Sequence, residues 1–334
     1  MPNPYKIDIV LPWVDNSDPE WLDKYNHYSN LSSTGDKREI RFRDWDLLRY
    51  WFRAIEKNMP WVNCIHFVTS DHMPEWLNLE NPKLNWVKHS DFIPDEYLPT
   101  FNINTIELNI HRINGLSEHF IYFNDDIFIL NKLSDKRFFR NGLPCDYAVM
   151  TAKPSGGGII HMAINDLDIL DNHFDKHTQI RKHQSKWFSL KYGKGLINNI
   201  LLYPWKEFSG FIDPHFPNSF LKSTFIDVWK KTPETLDETC LRKFRTNDDI
   251  NQWLIRYWQL AQGLFTPYNT KKKGLTLDIC DKSLNRITQY ITNQSYDILC
   301  MNDSNDIEDF EKAKSSLKDS FEKILPQKSS FEIY

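Results

Sequence analysis

A chain of 334 residues with 40% hydrophobic and 26% charged side chains has the make-up of a soluble globular protein with room for one large or two medium cores. Its formal net charge of -4 provides no basic field to gather nucleic acid, so no nucleic-acid partner is expected. The five cysteines, Cys64, Cys145, Cys240, Cys280 and Cys300, are scattered without a C-x-x-C pair, which argues against a disulfide framework or a cysteine-held zinc and for a reducing, cytoplasmic compartment.

The first residues lack the basic start and long apolar run of a signal peptide, and no apolar stretch is long enough to span a bilayer. Along the chain, KIDIVLPWV (6–14) reads as a strand ending before Asp15, and the turn-rich DNSDPEW follows it. RDWDLLRYWFRAIEKN (43–58) has helical spacing, with Asp44 as a candidate cap and a stop before Pro60. CIHFVTS (64–70) and LNWVKHS (84–90) read as strands, and NTIELNIHRING (104–115) as a helix with a glycine stop. HFIYFNDDIFIL (119–130) reads as a strand buried on both faces. Strands alternating with helices predict an α/β fold with a mainly parallel sheet, whose ligands bind outside the carboxyl ends of the strands.

Beyond residue 150 the pattern weakens. SGGGI (155–159) matches neither phosphate-loop nor dinucleotide frames and reads as a turn. RKHQSKWFSLKYGKGL (181–196) mixes basic and aromatic residues, either as a solvated surface hairpin or as a face for an anionic membrane. NSFLKSTFIDVWKKT (218–232), NDDINQWLIRYWQLAQG (247–263) and DIEDFEKAKSSLKDSFEKIL (306–325) read as helices. One composite catalytic domain over 1–334 is expected. Within it, 1–150 would be a nucleotide-sugar-binding half, 151–212 a variable insertion and 213–334 a helical part completing the site.

Carboxylates in the middle of an apolar strand need explaining, because buried charge is costly unless paired or bound to a cation. Asp125 and Asp126 point to opposite faces of an unbroken strand and face one cation only if the strand breaks there. They are either a polar strand end or hard oxygen ligands for Mg2+ or Mn2+ beside a pyrophosphate. Trp13 and Asp15 close the first strand as an Asx-turn or as nucleotide and sugar contacts. Arg41 and Arg43 alternate around Phe42 and share a face in an extended segment, ready to fork onto phosphates or merely solvated. His111 and Arg112 sit late in a helix, where cations also simply complement its dipole.

Taken together, four blocks resemble the Stealth family of sugar-1-phosphate transferases. They are IDIVLPWVDNSDPEW (7–21), RFRDWDLLRYWF onward through NDDIFI (41–129), PHFPNSF through KFRTNDDINQWL (214–254), and ILCMNDSNDIEDFEKAKSSL onward (298–332). The chain departs from the family pattern at Leu11-Pro12, Asn16 and Trp45. The resemblance implies a Rossmann-like, GT-A-type nucleotide-sugar transferase variant using Mg2+ or Mn2+. Its reaction moves a hexose-1-phosphate, such as an N-acetylhexosamine-1-phosphate, from a UDP-sugar to a sugar hydroxyl and releases UMP. The acceptor would be an oligosaccharide, a growing capsule polymer or a lipid-linked glycan, met in the cytoplasm or at the inner face of the cell membrane.

Matched position by position, the family's functional residues fall on Asp125, Asp126, His215 and Arg245. Asp15 matches the aspartate of the first block. The substrate-binding set expected around them is Trp13, Asp15, Arg41, Arg43, Asn124, His111 and Arg112. Asp125 and Asp126 are the expected metal ligands, one or both, with Asp303 as a further candidate. One carboxylate would hold the metal while the other acts as base. His215 would donate to the phosphate or serve as the base itself, and Arg245 would stabilise the phosphate under attack.

Overall fold

The computed structural model describes residues 4–15, 17–31, 43–154 and 156–334. In its first half the elements run β1 (Ile7–Pro12), α1 (Pro19–Leu31), α2 (Leu48–Asn58), β2 (Ile65–Thr69), β3 (Leu84–Lys88), α3 (Ile103–Asn109), β4 (His119–Tyr122), β5 (Ile127–Ile129), β6 (Phe139–Arg140) and β7 (Leu143–Asp146). Four helices follow: α4 (Ile159–His173), α5 (Lys176–Lys182), α6 (Gln184–Trp187) and α7 (Gly195–Leu202). The remainder is β8 (Asn218–Leu221), α8 (Lys222–Lys231), α9 (Pro233–Leu241), α10 (Gln252–Ala261), β9 (Thr266–Pro267), β10 (Gly274–Asp278), α11 (Asp281–Thr292), β11 (Ile298–Asn302) and α12 (Phe310–Ile324).

The central sheet has the order β3-β2-β1-β4-β8; the first four strands are parallel and β8 is antiparallel to β4. This is the mainly parallel α/β architecture expected. Alternate residues of β1 supply the two cores: Ile7, Ile9 and Leu11 join α2, α11 and α12 on one face, while Val10 joins α3, α8, α9 and α10 on the other. Chain order reverses across β1, with β2 and β3 to one side and β4 to the other, and such a switch opens a crevice beyond the strand ends.

The apolar run 119–130 is not one strand. Phe123 N–H still donates to the Val10 carbonyl at 3.0 Å, and the Asp126 carbonyl already accepts from Met301 N–H at 2.9 Å. Between these bonds the chain turns at Asn124–Ile127 and passes from the central sheet into a second one, ordered β10-β11-β5.

Several expected elements are revised. Residues 218–221 extend the central sheet before α8 begins, so the helix read over 218–232 is shorter. The region 213–334 is not simply helical, because it also contributes β10 and β11. The helix read over 43–58 begins at Leu48, and Asp44 does not cap it; Asp44 Oδ1 accepts from Asp46 N–H at 2.9 Å. Residues 181–196 are not a hairpin but the end of α5, then α6, a 3-10 turn and the start of α7.

Candidate active site

A cleft of about 930 Å³ opens beyond the carboxyl ends of β1 and β4. Trp13 follows β1 into it, and the turn Asn124-Asp125-Asp126 forms part of its floor. His215 enters from the segment before β8, and Arg245 from the loop between α9 and α10.

The turn packs these groups closely. Asn124 Nδ2 donates to His215 Nε2 at 2.8 Å, and that ring nitrogen lies 3.9 Å from Asp126 Oδ2. The Cys300 thiol reaches the same oxygen at 3.6 Å. The other oxygen, Asp126 Oδ1, is buried and has no hydrogen-bond partner among the described residues. An acceptor left bare in this way costs about 1–3 kcal/mol. Burial pushes the Asp126 carboxyl above the usual range, with His215 and Cys300 pulling the other way. Asp125 faces the open cleft, yet the surrounding protein pushes its carboxyl up to about 7, helped by the neighbouring Asp126 and by Asp44.

Each element is held in place by buried polar contacts. Under the His215 segment, Asp213 accepts from Arg256 at 2.5 Å, Lys153 at 2.6 Å and Tyr257 at 2.8 Å, and Arg256 also forks onto Asp146. Gly274 is required nearby, since a Cβ there would meet the Phe216 ring at 2.5 Å. The Arg245 loop is tied down by Asp249, whose carboxylate takes Thr246 and the amides of Asn102 and Asn104 at the start of α3. Behind the turn, Glu107 of α3 accepts from Tyr122 at 2.8 Å and Gln252 at 3.0 Å. Burial pushes its carboxyl up to about 7, although Tyr122, Arg245 and Gln252 all act against the shift.

The expected residues divide sharply. Trp13, Asn124, Asp125, Asp126, His215 and Arg245 line one cleft. Arg43 lines it too, but its Nε donates to Asp303 at 2.8 Å and its Nη2 to Asp303 and the Ser304 carbonyl. Asp303 lines the cleft as well, with each of its oxygens taking one contact from this guanidinium. Asp15 lies outside the cleft lining and builds the turn, accepting from Ser17 N–H at 2.8 Å and Ser17 Oγ at 2.6 Å. His111 and Arg112 are revised: they pack away from the cleft, His111 against Phe225 and Arg112 with its guanidinium 4.9 Å from the Trp229 ring centre. Arg41 lies outside the described residues.

Sequence reasoning missed Glu107, Cys300, Asp213 and Asp249. Glu107 left one trace, a carboxylate inside the apolar run of a predicted helix; the others depend on contacts between segments far apart in sequence.

A cation fits this arrangement in a limited way. Asp126, His215 and Cys300 bring one ligand atom each within 4.8 Å of one another. Burial and the Asp126 charge hold the Cys300 thiol protonated, so it suits a hard cation poorly. The unpartnered Asp126 oxygen is the group that Mg2+ or Mn2+ would satisfy.

Comparison with known proteins bears on what this cleft does. The Stealth conserved region 1 matches residues 5–33, and conserved region 2 matches residues 41–145. The capsular polysaccharide phosphotransferase WcwK of Streptococcus pneumoniae is 40% identical over 343 residues, 99% of each chain. The chain belongs to the Stealth family. A second relative of this Stealth chain, the exopolysaccharide phosphotransferase cps2G of Lactiplantibacillus plantarum, is 39% identical over 331 residues, 98% of this chain and 97% of its own. Among solved structures, the galactosyltransferase LgtC covers 93% of the Stealth chain and 95% of its own at 9% identity and a TM-score of 0.35, too loose a likeness to argue from. The Stealth chain is an enzyme of the phosphotransferase class.

Proposed function

We propose that this Stealth enzyme transfers a hexose-1-phosphate, an N-acetylhexosamine-1-phosphate by preference, from a UDP-sugar to a hydroxyl of a capsular or exopolysaccharide acceptor. One observation carries the reading. Three distant segments bring Asp125, Asp126, His215 and Arg245 to one cleft at a sheet switch point, with a buried Asp126 oxygen left unpartnered. The whole chain, 1–334, acts in this proposal as one composite catalytic unit of GT-A type, working where cytoplasmic nucleotide sugars are available.

The acceptor hydroxyl attacks the phosphorus that carries the sugar. A new P–O bond forms, the bond to the uridine phosphate breaks, and UMP leaves. The anomeric carbon is untouched, so the donor's configuration is kept in the phosphodiester product. Asp125 faces the cleft and takes the hydroxyl proton, and its raised affinity for protons suits that role. Arg245, permanently charged, faces the non-bridging oxygens of the phosphate under attack. His215, oriented by Asn124, hydrogen-bonds the donor phosphate. Asp126 would hold Mg2+ or Mn2+, which would supply neutralisation of the pyrophosphate charge. Trp13, stacked on Phe67 at 5.7 Å between ring centres, offers an aromatic wall to the donor.

The test incubates purified protein with Mg2+, a panel of UDP-sugars and capsule-type oligosaccharides and separates the released nucleotides. Acceptor-dependent UMP is expected. UDP would mean attack at the anomeric carbon, the reaction of an ordinary glycosyltransferase, and would overturn the reading.

A further inference from the structure

Helix α7 turns its apolar side outward. Its inner side is fixed: Asn199 Nδ2 donates to the Ala148 and Trp187 carbonyls, and Asn199 Oδ1 accepts from Met150 N–H at 2.7 Å. Gly195 lets the helix start close to the core, since a Cβ there would overlap the Tyr147 hydroxyl. With that side spoken for, helical geometry sends Ile197, Ile200 and Leu201 outward at i, i+3 and i+4.

All three are more than half exposed, and Leu201 is 67% exposed. Leu190, in the turn before the helix, is 86% exposed, and Trp205 just after it is also more than half exposed. The display is rigid. The buried Lys176 ammonium donates to the carbonyls of Leu202, Trp205 and Glu207, which fixes the end of α7 and the loop carrying Trp205.

Charge identifies what covers this face. From 181 to 206 the chain has five lysines, one arginine and no aspartate or glutamate, although the protein as a whole carries -4. Lys186 donates inward to the Gly263 carbonyl, and Lys206 pairs with Glu207. Lys191 and Lys194 remain exposed beside the apolar residues, with Arg181 and Lys182 at the end of α5. Apolar side chains in a setting of exposed cations match an anionic lipid surface, which takes the former into its headgroup region and attracts the latter.

We propose that α7 and its flanking turns form a docking face for an anionic bilayer, with Ile197, Ile200, Leu201 and Trp205 entering the headgroup region and Lys191 and Lys194 meeting lipid phosphates. The chain runs from this face through Phe208 and Phe211 into the core and then to Asp213 and His215. Docking would therefore hold the catalytic cleft near a glycan carried on lipid.

The experiment is vesicle co-sedimentation of the full chain, using phosphatidylcholine alone and phosphatidylcholine with phosphatidylglycerol. Wild type should sediment with the anionic vesicles, less so in high salt. The triple variant Ile197→Ser, Leu201→Ser, Trp205→Ser should partition at least tenfold more weakly. Lys191→Glu with Lys194→Glu should remove the preference for phosphatidylglycerol. Both variants should melt near wild type and release UMP on a short soluble acceptor at an unchanged rate. Wild type that ignores anionic vesicles, or variants that bind them equally well, would overturn the proposal. So would a dimer seen by sedimentation velocity and dissolved by the triple variant, which would assign the face to a second copy. Failure of UMP release in wild type would remove the catalytic reading and leave vesicle binding as it was measured.

Discussion

Arg256 is enclosed by protein and Asp126 is partly buried at the cleft, and the two groups are finished differently. Arg256 forks onto Asp146 and reaches Asp213, and Asp213 in turn takes Lys153 and Tyr257. Every partner in that cluster is itself partnered, as a buried ionic group requires. Asp126 lines the same cleft as Asp213, with one oxygen shared by weak contacts and the other without a partner among the described residues. The first cluster is scaffold: it holds the His215 segment where the second group can use it. The second is the centre of the chemistry proposed above, because an incomplete shell leaves room for a substrate or cation.

The comparison breaks most easily at Asp126. Asp126→Ala should lower UMP release by about three orders of magnitude or more while the melting temperature holds or rises, since an unpartnered buried acceptor is being removed. Initial rates and thermal melts on the same preparation check both halves. Arg256→Ala should do the opposite, costing about 3–5 kcal/mol of stability because it leaves Asp146 and Asp213 as uncompensated buried charges. Denaturant titration measures it, and activity should follow the folded fraction. Arg245→Ala should reduce turnover about a hundred- to a thousandfold, with most of the loss in kcat.

Glu107 sharpens the contrast by the smallest effect. Its carboxyl, raised by burial to about 7, keeps its proton in the folded chain at pH values where the unfolded chain has lost it. Stability from this group is therefore present below the unfolded value near 4.5 and falls as pH rises towards 7. Glu107→Gln removes the titration, so its melting advantage over wild type should grow by roughly 2–4 °C between pH 5 and pH 8.

Much of this was legible in the sequence. The parallel strands, their order of appearance and the residues of the cleft floor followed from apolar runs and from carboxylates where an apolar run should have none. What the run 119–130 hid was its division between two sheets, because aromatic and β-branched residues read as strand on both sides of the break. In the sequence β8 reads as the first turn of a helix, since Asn218–Leu221 is too short to show a period of two. The Arg43–Asp303 pair joins residues 260 positions apart, and no local pattern shows that either side chain already has a partner. His111 and Arg112 mislead for the converse reason: a basic pair near a helix end fits a substrate-binding set until the aromatic rings of α8 are found against it.

The most direct test of the claim that Asp126 is left incomplete for a cation is Mn2+ binding in the presence of UDP, followed by calorimetry for wild type and Asp126→Asn. Wild type should bind one Mn2+ per chain, and the variant should bind at least a hundredfold more weakly with its fold intact. Equal binding by the two would contradict the account and place any cation elsewhere in the cleft.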